Sequence, residues 1–161
     1  MTSTDATMNA ITEAVALGRS GHRTAARTAL GELWTSIGPL GDPLHRCTLA
    51  HYLADLQDDA AQALAWDIRA IDAADGLTDD RARRHDRSLD VRGFYPSLHL
   101  NLADNYRRLG SFDAARREID TARTHLHTLG DDAYGTIIRS ALDGVEAAIR
   151  AGDTAPRDTA P

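Results

Sequence analysis

The segment from Leu98 to Ala122 constrains this chain most. Leu102, Tyr106 and Leu109 recur at i, i+4 and i+7, which places them on one face of a helix. Gly110 follows, and glycine tolerates the left-handed backbone that ends a helix. Ser111 or Asp113 can cap the next helix, in which Ala115, Ile119 and Ala122 repeat the same spacing. Two apolar stripes joined by a tight stop can bury each other only as a helix hairpin.

The same outline occurs twice upstream. Ala10 to Arg19 reads as a helix stopped near Gly21, and Ala26, Leu30 and Leu33 form its return stripe. After Pro43, Leu49, Ala50 and Leu53 match the first helix, and Ala63, Trp66 and Ala70 the second; the turn Gln57-Asp58-Asp59 carries no glycine. The small residue closing each hairpin stands at Ala26, Ala63 and Ala115, at intervals of 37 and 52 residues. The longer interval implies about 15 extra residues, falling in an insertion at about 76–95.

These residues carry a resemblance. Leu102, Ala103, Tyr106, Gly110, Phe112, Ala115, Ile119 and Ala122 resemble the tetratricopeptide repeat (TPR) pattern, as in small actinobacterial TPR proteins, with His99 where the family has an aromatic. The resemblance implies an all-α fold: a right-handed α-solenoid of three TPR-like hairpins plus a C-terminal capping helix. That helix is expected from Asp131-Asp132 to about Arg150, with Ile137, Ile138, Leu142, Val145 and Ile149 on its apolar side. Residues 1–7 and 152–161 are expected to be disordered, and 8–151 to form the helical domain.

The resemblance further implies a concave groove, lined by the first helix of each repeat, that receives a protein or peptide partner. Register places Ile11, Val15 and Arg19 there from repeat one, Cys47, His51 and Asp55 from repeat two, and Leu100, Asn101, Asp104, Arg107 and Arg108 from repeat three. The matching Asn and Lys residues of a clamp for a peptide C-terminus are missing from the other repeats. In the insertion, His85, Arg87, Arg92 and Tyr95 would belong to a lid or recognition loop, or to a solvated helix end with Tyr95 as an anchor for repeat three.

A second reading is a small-ligand or metal site, possibly catalytic. His51 and Asp55 stand four apart on one helix face, where a carboxylate can orient an imidazole. They are two candidate metal ligands where zinc needs three or four. His45, His51 and His99 could approach each other only if the helices of repeats two and three pack side by side. Cys47, four residues before His51, could be a nucleophile, but no oxyanion hole is evident and a lone cysteine is more commonly a core residue. Trp34 and Trp66 read as core fillers on the second helices. No phosphate-binding, dinucleotide, hydrolase-elbow or zinc-protease motif occurs, so no cofactor is expected.

Charge limits the partner. The net charge is −6, and all 18 strong bases are arginine, as in chains from GC-rich bacterial genomes. That balance argues against nucleic acid or an acidic membrane. No apolar run reaches the ~18 residues of a membrane span, Met1 to Thr7 lacks a signal pattern, and the lone Cys47 forms no intrachain disulfide. A cytoplasmic protein is the expectation.

Overall fold

The computed structural model of the chain describes residues 5–77 and 91–157. Among them every regular element is helical, and no helix is long and apolar enough to cross a membrane. The chain divides into two compact units, Met1–Val91 and Arg92–Pro161.

Unit 1 contains α1 (Ala6–Arg19), α2 (Arg23–Ile37), α3 (Pro43–Asp55) and α4 (Ala60–Asp75). Helix α1 packs on α2 and α3 on α4, with further contacts of α3 to α1 and α2. The closing alanines account for the close approach: Ala26 is 0 % and Ala63 3 % exposed. A methyl group on Gly18 would stand 3.2 Å from Cβ of Ala26, so the α1–α2 crossing would have to open by a few tenths of an ångström to admit one. Helix α1 begins at Ala6, four residues before the sequence pattern became visible, because Asp5 caps it by accepting from the Met8 backbone N–H at 2.9 Å. The same carboxylate meets Nε2 of His45 at 2.8 Å, fastening the start of α1 to α3. Where the second turn lacks glycine, Asp59 caps α4 through the Ala61 N–H at 2.8 Å.

Trp34 and Trp66 join α2 to α4, edge to face at a centroid distance of 5.1 Å. The guanidinium groups of Arg46 and Arg69 lie over Trp34 and Trp66, 4.0 and 4.4 Å from the ring centroids. Both rings act in unit 1 as half-buried packing groups.

Unit 2 contains a 3₁₀ turn (Val91–Phe94), α5 (Tyr95–Arg108), α6 (Phe112–Thr124), a second 3₁₀ turn (Leu126–Thr128) and α7 (Ala133–Ala151). Helix α7 packs on both α5 and α6. Leu100, Ala103, Ala115, Ile119, Ala122, Ile138, Leu142, Val145 and Ile149 form one core. Gly110 has φ +76°, the left-handed stop expected of it. Ser111 precedes α6 without a side-chain capping bond. Ile137 departs from the expected apolar side of α7: it is 64 % exposed, while Ile138 beside it enters the core.

Candidate functional site

The register that marked Val15, Arg19 and Asp55 brings them together in unit 1. They line a half-open cleft of about 220 Å³ with Gly18, Arg23, Leu30, Tyr52 and Leu56. Helix α1 supplies Val15, Gly18 and Arg19; α2 supplies Arg23 and Leu30; α3 and its last turn supply Tyr52, Asp55 and Leu56. The floor is apolar, and the rim carries two guanidinium groups and one carboxylate.

Arg23 donates to the Asp55 carbonyl at 3.5 Å and faces the exposed Asp58 carboxylate at 3.5 Å. Arg19 is exposed at the rim. Protein atoms crowd the Asp55 carboxyl, and this burial raises its pKa, against the lowering by His51, then Arg23, then Arg19. The residue as a whole nevertheless remains open to water. His51 is half-buried, its ring edge to face with Tyr52 at 5.3 Å. It influences Asp55 through charge and stands outside the cleft lining.

Cys47 is a core group. It is 5 % exposed, and burial pushes its thiol up to about 12, so the nucleophilic thiolate is absent near neutral pH. A disulfide reagent at pH 8 is expected to leave Cys47 unmodified in the folded chain and to titrate one thiol after denaturation; rapid modification of the native protein would contradict this burial.

In unit 2 the candidates separate. Asn101, Asp104 and Arg108 are half-buried on α5. Leu100 belongs to the core. Arg107, which the register placed in a ligand groove, is 0 % exposed and engaged by the chain itself: it donates to Asp104 on its own helix and to two backbone carbonyls beyond α7. Residues 153–157, expected as part of a disordered tail, are described, and the first of them are tied down here.

Tyr95 opens α5 and joins a ring cluster internal to unit 2. It stacks on His125 at 5.2 Å and on His99 at 6.1 Å, and the two imidazoles lie parallel at 5.8 Å. Nδ1 of His99 meets the Glu118 carboxylate at 2.7 Å. Burial, then the charges of His99 and His127, lower the pKa of His125. A base depressed in the folded state binds fewer protons there than in the unfolded chain. Stability is therefore full above the ordinary histidine pKa of about 6.5 and declines as pH falls below it toward the depressed value. An NMR titration of the His125 ring is expected to give a midpoint below that of an exposed histidine, and His125→Gln to flatten the acid-side loss of stability. A His125 midpoint at or above the ordinary value would refute the assignment.

His45 is engaged by Asp5 and His99 by Glu118. Among the described residues no group of three or more His, Cys, Asp and Glu side chains is placed to hold a metal ion. His85 and Arg87 lie outside the described residues, as does most of the insertion; Arg92 is described in its backbone only. Sequence patterning missed Arg23 and Tyr52. Arg23 stands at the start of a second helix, outside the first-helix positions that the register marked, and Tyr52 is one position off the His51–Asp55 spacing. The chain matches no protein-family model, no curated protein and no solved structure.

Proposed function

We propose that the chain is a non-enzymatic tetratricopeptide-type interaction module, its hairpins being successive repeats of a right-handed α-solenoid, and that it binds an extended peptide segment. The cleft of unit 1 carries this reading: an apolar floor of Val15, Leu30 and Leu56 beneath the exposed Arg19. At about 220 Å³ it is smaller than the ~300–1,000 Å³ of pockets that enclose a drug-sized ligand or cofactor. It suits one apolar side chain of a peptide, with an acidic neighbour placed against Arg19 and Tyr52 at the rim. The first helices of two hairpins supply most of the lining, as the family resemblance implies for a peptide-receiving surface. Fold likeness alone does not set function; the chemistry of the lining does the selecting.

Selection of a displayed random-peptide library on the purified chain tests this. Peptides pairing an acidic with a large apolar residue are expected to be enriched. Arg19→Glu should weaken them at least ~10-fold, as loss of a charge-assisted contact does, and Tyr52→Ala should weaken them less. Glu32→Ala, outside the cleft, serves as the control. Failure to enrich any peptide, or enriched peptides indifferent to Arg19→Glu, would remove the basis for the reading.

A further inference from the structure

Arg107 is buried in unit 2, and all three of its guanidinium nitrogens are engaged. Its side chain is 1 % exposed. Nε donates to Oδ1 of Asp104 at 2.9 Å, Nη1 to the Asp153 carbonyl at 2.6 Å and Nη2 to the Ala155 carbonyl at 2.8 Å. A planar fork thus grips two carbonyls two residues apart in a segment that has already left helix α7 at Gly152. Every contact with the segment is to backbone.

What the fork selects is therefore the local shape of the segment, and two of its own residues set that shape. The Asp153 carboxylate accepts from the Ala155 N–H at 2.8 Å, which closes a small turn. Pro156 restricts Ala155 before it to extended backbone. Together they hold the Asp153 and Ala155 carbonyls at one spacing, while Thr154 between them is exposed. The same four residues recur immediately after Arg157: Asp153-Thr154-Ala155-Pro156 is followed by Asp158-Thr159-Ala160-Pro161. Both shaping residues are present in the second copy.

We propose that Arg107, oriented by Asp104, is a binding site for extended peptide of the Asp-Thr-Ala-Pro type, and that the 158–161 copy is a second ligand that competes with the 153–156 copy for it. The site belongs to unit 2 and does not depend on the cleft reading of unit 1. The 153–156 copy acts as a tethered competitor, at an effective concentration on the order of millimolar, so a free peptide of this sequence must displace it.

The Arg107 Nη–H protons report occupancy, since they are the ones that donate to the segment, and their exchange with water is slow only while the segment covers them. In the full chain, Asp153→Gly with Pro156→Gly disables the first copy. Exchange is then expected to stay within about twofold of the native rate, because an equivalent ligand takes over. Adding Asp158→Gly and Pro161→Gly disables both copies and should make exchange fast. Acetyl-Asp-Thr-Ala-Pro-amide should restore slow exchange in this fourfold variant, and a scrambled tetrapeptide should not.

Exchange as fast in the twofold as in the fourfold variant would show that the second copy is no ligand. Slow exchange in the fourfold variant would show that any backbone serves. Either result overturns the proposal, as does failure of the tetrapeptide to act on the fourfold variant. Far-UV circular dichroism checks folding. Should the fourfold variant not fold, the tetrapeptide is titrated into the native chain to about 10 mM, above the tethered competitor. Broadening of the Arg107 signal by the tetrapeptide alone supports the proposal, and no change overturns it.

Discussion

Leu142→Ala is expected to destabilise unit 2 by about 3 kcal/mol, within the range for removing a fully buried leucine side chain. Leu142 is 0 % exposed and sits in the core where α7 meets α5 and α6, beside Ile138, Val145 and Ile149. Its neighbours come from three helices, so no single helix can shift to close the cavity without opening another contact. Denaturant unfolding followed by circular dichroism measures the loss. Ile137→Ala is the internal control: that side chain is 64 % exposed, and its removal should change stability by less than about 0.5 kcal/mol. Equal effects at the two positions would mean that α7 presents a different face to its partners.

Arg107→Gln is expected to cost about as much, roughly 3 kcal/mol, through a different mechanism. The substitution removes a charge whose donors reach Asp104, Asp153 and Ala155, leaving a carboxylate and two carbonyls short of a donor. Asp104 retains some contact with water, its side chain being 23 % exposed, which holds the cost near the lower end for breaking a buried pair. Asp104→Asn should cost less, because the guanidinium keeps both carbonyls. Limited proteolysis offers a second readout: cleavage after Arg157 should accelerate in Arg107→Gln before the helices unfold. If Arg107→Gln and Asp104→Asn prove equal, the backbone contacts contribute little and the ion pair dominates.

The two positions also show how differently residues announce themselves. Leu142 is legible in a single chain because burial of an apolar stripe follows helix periodicity; Ile138, Val145 and Ile149 follow the same rule. Ala26, Ala63 and Ala115 were legible for a related reason, since only a small side chain permits the hairpin helices to approach. Arg107 also lies on the inward register of α5, but periodicity cannot foresee which segment will cover a position. A long polar side chain on an inward face can meet solvent, a partner or the chain itself.

The cleft divides in the same way. Val15, Arg19 and Asp55 follow from the helical register of α1 and α3, while Arg23 and Tyr52 join them only through the packing of α2 and α3 against α1. His51 and Asp55, read together as a candidate polar pair, share their helix face but not one role: Asp55 lines the cleft, and His51 acts on it through charge.

By itself, then, the sequence determined the helical segments, their hairpin pairing and most of their inward positions, because these depend on near-neighbour spacing and on burying apolar surface; it misplaced Leu109 and Ile137, which stand at the edges of their stripes and are exposed. The tertiary structure alone decided that Tyr95, His99 and His125 stack into one cluster, that Asp5 reaches across 40 residues to His45, and that Arg107 closes on the segment after α7. Contacts of that kind join charged and polar atoms far apart in the chain, and their geometry depends on how whole helices pack rather than on the spacing within any one of them.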